Sequence, residues 1–506
     1  MPEVIEAVTS PGGEVYELLA TPARPHPGED LPSRPVGSPS DMLSTKEGET
    51  FVVCDDQGNL SLPDQAGMGL YYRDTRFLSR FELRVNGAAP TLLSSSAERG
   101  YLTQVDLTNP DVWEGGALTL PKQTINLRRT RVVGDVVYER IRVKNYHREP
   151  AEAVLEFTLE SDFADIFEVR GLKRVQRGRE CRPRLDGSTV KFAYLGTDEV
   201  FREMWVTFWE PPGDVRVDGG TVTLALRLQL RPQQTRSLSI SFEPILGGRR
   251  SDQLDFDRSV ARTRHSYEDW ERRHTQIDTN NELFDALLLR GIRDLRALLT
   301  TTHDGEIMAA GIPWYVAPFG RDSIITSYEI LMVNPEPARQ TLRLLSALQG
   351  RQADPWRDEE PGKILHEIRQ GELANAYYIP HTPYYGTADA TPLYLMLAAA
   401  YFRWTNDLKT IAELKPTFDL ALKWIDDFGD LDGDGYVEYL RRSPRGLKNQ
   451  GWKDSGNSIV HADGRLAEPP IALAEVQAYV YMAKRRMAEI YALLGEGEAA
   501  GRLNRE

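Results

Sequence analysis

The spacing of apolar residues changes once along this chain, and that change divides it into two kinds of domain. Leu224, Leu226, Leu228 and Leu230 occupy every second position, as do Leu238, Ile240 and Phe242, and Leu155, Phe157 and Leu159. A period of two puts one face of an extended strand on a core and the other in water. Strands of this kind recur from about residue 47 to 245, broken by turn pairs such as Asn86-Gly87 and Asp186-Gly187. They predict an antiparallel β-sandwich over residues 45–246. From about Asn280 the period becomes helical, with Phe284, Leu287, Leu288, Ile292, Leu295 and Leu299 on one face. Further helices are predicted over 322–333, 336–349, 392–404, 407–428 and 474–494, so residues 280–506 read as an all-α domain. Pro337 and Pro392 suit first-turn positions.

Residues 247–279 are highly charged and read as a helical linker lying on a domain surface through Leu254, Val260 and Trp270. Residues 1–44 read as an irregular or disordered leader. Six prolines crowd the stretch from Thr21 to Ser40, which has too few large apolar side chains to repay the entropy of ordering.

At 506 residues, with 41% hydrophobic and 27% charged content, the chain has the composition of a multidomain globular protein. A formal charge of −14 disfavours nucleic acid, which needs clustered Lys and Arg, and is compatible with a neutral ligand such as a sugar. Two cysteines, Cys54 and Cys181, exclude a disulfide scaffold and a cysteine-rich metal site. No apolar run reaches the roughly 18 residues of a membrane span, and the acidic N-terminus is not a secretory signal. A cytoplasmic protein with no membrane partner is expected.

Four loops between the predicted helices carry the chemistry, since long loops in a helical domain usually bear function. The first, Gly311 to Ser323, holds Trp314, whose flat face can stack on a sugar ring, followed by Arg321 and Asp322, a donor fork and an acceptor for vicinal hydroxyls. Asp322 or Ser323 can equally cap the next helix. The second, Leu365 to Glu372, holds His366 and Glu367. It is not a zinc motif, because Gln370 stands where the second His is required. The third holds the tyrosine pair Tyr384-Tyr385 followed by Asp389, suited to a sugar contact, although Asp389 stands first of all where a helix cap would.

The fourth runs from Asp430 to Ser458. Asp430, Asp432 and Asp434 with Gly435 follow the first half of a calcium loop, and Glu438 takes the ninth position. Arg441 occupies the twelfth, where a bidentate Glu is required, so a helix–loop–helix calcium hand is excluded. A structural calcium loop completed elsewhere and a metal-free acidic turn both remain open. Metal here would stiffen the stretch bearing Trp452, Lys453 and Asp454. A carboxyl beside an indole is partly desolvated, so Asp454 is a candidate proton donor near neutral pH.

Taken in order, Gly-Ile-Pro-Trp-Tyr…Phe-Gly-Arg-Asp-Ser, Lys-Ile-Leu-His-Glu-Ile-Arg, Tyr-Gly-Thr-Ala-Asp-Ala-Thr-Pro and Asn-Gln-Gly-Trp-Lys-Asp-Ser resemble the bacterial glycogen-debranching, amylo-α-1,6-glucosidase-like glycoside hydrolases. Gly69-Leu70-Tyr71-Tyr72-Arg73-Asp74-Thr75-Arg76-Phe77-Leu78-Ser79 is similar to that family's N-terminal domain, and the resemblance spans about residues 45–506. It implies a β-sandwich followed by an (α/α)6 toroid, and inverting hydrolysis of an α-glucosidic bond with no required cofactor. It also implies Asp454 as general acid, Arg321 and Asp322 as the grip on the terminal sugar, and His366, Glu367, Tyr385 and Asp389 as cleft residues.

A closed toroid has twelve helices and about seven are expected here, so the toroid is expected to be incomplete and to lack the family's general base. Glu367, Glu372 and Glu438 are the substitutes considered, with weak or no hydrolysis as the outcome and exposed helix faces open to self-association. A non-catalytic carbohydrate-binding protein, or a glycosidase for another sugar such as a mannosyl or glucosyl compatible solute, is the alternative.

Overall fold

The structure is a computed structural model that describes residues 4–19, 42–60, 67–174, 176–303 and 305–506. The strict alternation in Ala151–Glu160 and Thr221–Leu230 builds an antiparallel pair in which Leu155 opposes Leu226 and Phe157 opposes Leu224. Gly213–Asp218 and Arg80–Val85 flank this pair to give a four-stranded sheet. It faces a nine-stranded antiparallel sheet whose central strands are Phe201–Phe208, Thr235–Leu246, Val137–Asn145 and Ile125–Val132. Leu83, Phe157 and Leu224 from one sheet meet Leu127, Ile141 and Ile240 from the other in a single core, as expected of a sandwich.

A third sheet of five strands runs from Ala164–Asp165 through Thr75–Leu78, Gly69–Tyr72 and Thr50–Asp55 to Met42–Glu47. Phe51, Val52, Val53 and Cys54 are all buried because both faces of this sheet are covered. Val52 and Cys54 join the sandwich core. Phe51 and Val53 pack with Tyr71 and Ile166 of the one-turn helix α1 (Ile166–Val169), and Ile312, Trp314 and Val316 lie against that cluster. The β-region is thereby continuous with the loop that introduces the helical site.

One expectation is corrected at the N-terminus. Val4–Thr9 and Val15–Leu19 form a β-hairpin rather than an irregular leader. Tyr16 and Leu18 are buried against Cys181, Ala193 and Phe201, and the Tyr16 hydroxyl donates to Glu203 at 2.5 Å. Two apolar anchors suffice because the sheet edge supplies the rest of the surface. The proline-rich stretch from Thr21 to Ser40 lies outside the described residues.

The charged segment forms α2 (Phe256–Arg273), capped by Asp255, which accepts from the Arg258 amide at 2.8 Å. Phe256, Tyr267 and Trp270 are its buried side. Helix α3 (Glu282–Leu298) follows, capped by Asn281. Its apolar stripe does not face a core: Leu283, Phe284 and Leu287 are exposed, and only Ile292, Arg296 and Ala297 are buried. Periodicity reports that a face is apolar, not that a neighbour covers it. The C-terminus of α3 is closed by the buried Lys46, whose ammonium donates to the carbonyls of Ala297, Leu298 and Leu299. Burial brings that ammonium down to about 7.

Helices α4 (Gly320–Glu329), α5 (Glu336–Ala347), the single turn α6 (Glu372–Asn375), α7 (Ala390–Thr405), α8 (Leu408–Trp424), α9 (Ala474–Leu493) and α10 (Gly497–Leu503) complete the chain. Helix α7 is apolar on nearly every side and packs against α4, α5, α8 and α9, as a central helix must. Three helical hairpins, α4/α5, α7/α8 and α9/α10, are the repeating unit of an (α/α)6 toroid. Among the described residues seven helices longer than one turn follow Asn281, against twelve in a closed ring. No helix among them is long and apolar enough to cross a membrane.

Candidate active site around Arg321

Three of the four loops meet where α4 and α7 begin. Gly320, the first residue of α4, lies so close to Leu365 that an added Cβ would sit 2.0 Å from its carbonyl oxygen. The Gly320 amide donates to the His366 carbonyl at 2.8 Å, and the Ile368 amide donates to Pro318 at 3.1 Å. On the other side, the His366 amide donates to Tyr384 at 2.8 Å, and the Tyr384 amide donates to Glu367 at 2.9 Å. The second loop is thus laced between the first and third, and Arg321 and Asp322 emerge directly from the lacing.

Arg321 organises the site. Its Nη1 donates to Asp389 Oδ2 at 3.1 Å and to the Gly451 carbonyl at 2.9 Å, and its Nη2 donates to Asp454 Oδ2 at 3.0 Å. Asp322 Oδ2 lies 4.0 Å from Nε. Burial works against the guanidinium charge, yet Asp389, Asp322 and Asp454 together hold its pKa above the usual value. The carboxylates respond in the opposite sense. Burial raises Asp454 above the ordinary Asp range, and the neighbouring Glu367 and Asp389 push the same way against the pull of Arg321. Burial raises Asp322 likewise. Both side chains are 37% exposed and open to a ligand, whereas Asp389 is 1% exposed and is not.

Several residues expected to touch a ligand have other partners. Asp389 makes no helix-capping bond. It accepts from Arg321 and from the Thr387 hydroxyl, so it orients the guanidinium instead of binding sugar. The Tyr385 ring belongs to the helical core and its hydroxyl donates to the Leu348 carbonyl. Glu367 is buried between Arg369 at 3.1 Å and His381 Nε2 at 2.6 Å, and despite burial the Arg369 charge and the contact with His381 hold it far below the usual Glu range. His366 is buried and held neutral, its pKa brought down to about 3 by desolvation. Trp314 is half-buried against the β-region. Trp452 is 55% exposed, with the Lys453 ammonium lying over its ring 5.1 Å from the centroid.

Two acidic residues of the site were not singled out in the sequence. Asp358, buried, accepts from the Arg442 and Ser443 amides, the Tyr384 hydroxyl and the Gln450 amide, and so pins the loop carrying Trp452 and Asp454. Its signal was hidden in an acidic run, where a solvated face is the cheaper reading. Glu475, in the first turn of α9, places Oε1 3.9 Å from where a Gly451 Cβ would stand, beside the carbonyl that Arg321 uses. An acid in a first turn reads locally as complementing the helix dipole.

The acidic loop gathers ligand oxygens of Asp430, Asp432, Asp434 and Glu438 within 4.8 Å of one another. Calcium takes oxygens at about 2.3–2.6 Å, so opposed ligands stand roughly 5 Å apart, and these four fit that span. Calcium bound there would cancel like charge and rigidify the turn. Burial raises Glu438, and the three neighbouring Asp residues add to the shift. The loop reaches the site through Tyr439, whose hydroxyl donates to Asn449 at 2.8 Å, and through Asn449, which donates to the Ser455 carbonyl at 2.7 Å.

Residues 45–241 match the sequence profile of the N-terminal domain of some glycogen debranching enzymes. That stretch is similar to the domain, and it coincides with the β-region of the fold. No curated protein sequence matches the chain. Over its full length the fold matches a protein from the human microbiome described as a kojibiose phosphorylase, with a TM-score of 0.58, 10% identity and 69% of that chain covered. It also matches a bacterial glucoamylase complexed with acarbose, with a TM-score of 0.53, 11% identity and 68% of that chain covered. At such identity the likeness is one of fold. The matched stretch is followed by helices arranged as in the (α/α)6 toroid fold.

Proposed function

We propose that the chain is an inverting glycoside hydrolase of the amylo-α-1,6-glucosidase type, acting in the cytoplasm on α-glucosidic bonds of oligo- or polysaccharides. The observation that carries this reading is Asp454: a part-exposed carboxyl raised by burial while Arg321 fixes its orientation. A carboxyl that retains its proton at that position can pass it to the leaving glycosidic oxygen as the C–O bond breaks. Asp322 and Arg321 hold the hydroxyls of the terminal sugar, and the exposed Trp452 offers a stacking face.

Inversion needs a second carboxylate about 6.5–9.5 Å from the acid to activate water. Glu367 is held by Arg369 and His381, Glu372 by Arg174 and Tyr194, and Glu438 lies in the acidic loop. None of the three substitutes is free for that role, so slow hydrolysis is expected. Asp322, beside Arg321, and Glu475, near Gly451, are two further carboxylates at the site. Phosphorolysis is the weaker reading, because one guanidinium among three Asp side chains repels an incoming phosphate. Structural calcium in the loop from Asp430 to Glu438 belongs to the same proposal. So does self-association through the exposed Leu283, Phe284 and Leu287.

The deciding experiment is a panel of linear and α-1,6-branched maltooligosaccharides with the first product read by NMR. β-Glucose as the first anomer supports the proposal. α-Glucose rejects inversion, and calorimetric binding without product selects the non-catalytic carbohydrate-binding reading.

A further inference from the structure

The motif from Gly69 to Ser79 plays no part in the chemistry above, yet its tip reaches the site. It folds as a tight hairpin between Gly69–Tyr72 and Thr75–Leu78. Arg73 and Asp74 at the turn take φ of 47° and 59°, the left-handed region that Asp tolerates better than most residues. Both Asp74 oxygens are used across the domain boundary. Oδ1 accepts from Arg369 Nη1 at 2.9 Å, and Oδ2 accepts from the Gln370 amide at 2.8 Å.

Arg369 is itself buried. Its Nη2 donates to the Trp314 carbonyl at 3.1 Å, its Nε donates to Glu367, and its guanidinium lies 5.2 Å from the Phe319 ring centroid. Glu367 forms backbone bridges to Phe319 and to Tyr384. Phe319 and Gly320 immediately precede Arg321. The contacts therefore run unbroken from the β-hairpin tip, through Arg369, to both strands of backbone that aim the Arg321 guanidinium. The approach is close along the whole segment: a Cβ on Gly371 would stand 2.3 Å from Asp165 Oδ2 and 3.1 Å from Asp74 Cβ.

We propose that Asp74 is a positioning residue for the carbohydrate site, a strut by which the β-region fixes Arg369 and so the loops that present Arg321 and Asp322. The proposal rests on the glycosidase reading for its consequence to the ligand, and on geometry alone for the strut. An Asn at 74 keeps the size and the tolerance for positive φ. It can accept from only one of the two donors that Asp74 serves, and its own amide would point at the other. The fault is then local to the strut.

The test is Asp74→Asn in the full chain, read by hydrogen exchange and by calorimetry with acarbose. Exchange in residues 365–375 and 318–322 is expected to rise about tenfold, with acarbose affinity falling by a similar factor, the loss due to one charge-assisted hydrogen bond. Exchange in Ala151–Glu160 stays unchanged. In an Arg369→Gln background, Asp74→Asn produces much less change than it does alone, because its partner is already gone. Unaltered exchange at 318–322, or fully additive effects, overturns the strut. If the unmodified chain binds no acarbose, the carbohydrate reading fails and the exchange data still decide the strut. Should Asp74→Asn not fold, Arg369→Lys, which keeps the charge and loses the fork, is read in the same way.

Discussion

Two buried charge clusters, one in each half of the molecule, are built on opposite plans. In the sandwich, Glu139 lies between Arg129 and Arg131, with Nε to carboxylate distances of 2.7 Å on both sides. The remaining guanidinium nitrogens are largely spent on backbone carbonyls at Gln57 and Gly58 and on Asn59. Burial opposes ionisation of Glu139, but two cations outweigh it and the pKa falls. At the site, one guanidinium serves three carboxyl groups, and those of Asp322 and Asp454 are raised. Where cations are in excess a carboxylate is locked. Where carboxylates are in excess, burial and mutual repulsion shift them toward the protonated form.

The largest effect that would break this contrast is kinetic. Asp454→Asn is expected to lower product formation by about 10²–10⁴-fold, the usual contribution of a general acid. Acarbose affinity and melting temperature stay close to those of the unmodified chain, and retained turnover would remove Asp454 from the chemistry. Next in size is Glu139→Gln, which strands two buried guanidinium groups and should cost about 3–5 kcal/mol. Calorimetric melting checks it, and a small loss would show that the sandwich cluster is not locked. Calcium is expected to raise the melting temperature, contributing about 2.7 kcal/mol at a hundredfold excess over its dissociation constant. Asp432→Asn should abolish that response without moving the metal-free melt.

The smallest effect is the pH dependence, and its sign differs between the clusters. Glu139, lowered on folding, adds stability that is present above its unfolded pKa and is lost as pH falls through its folded value. Asp322 and Asp454, raised on folding, favour the folded state at low pH. That contribution is lost as pH rises from the unfolded value, about 3.9, through their folded values. The Asp322→Asn, Asp454→Asn double variant should therefore melt slightly higher than the unmodified chain at pH 7 and equally at pH 3. A lower melt at pH 7 would reverse the assignment.

Elements carried by local pattern were legible in the sequence. Leu155, Phe157 and Leu159 announce a half-buried strand because the period acts within a few residues. Arg321 and Asp454 were singled out separately, and the structure brings them to 3.0 Å. What escaped depends on partners distant along the chain. Asp389 looked like a helix cap because the residue it holds is 68 positions away. Arg369 and Asp74, 295 positions apart, carried no mutual signal. The stripe on α3 was correctly read as apolar, but burial of a stripe depends on a neighbour that periodicity does not specify.

The N-terminal hairpin has one more consequence. Leu18 bridges Cys181 just beyond the terminal strand Arg179–Glu180 of the large sheet. A naked rim of amide and carbonyl groups recruits strands from other molecules, and natural proteins shield such rims. Here residues 4–19 are the shield, so a variant trimmed to begin after Leu19 would trade a guarded margin for a sticky one. Its precipitation on storage would be traced to that margin and not to any fault around Arg321.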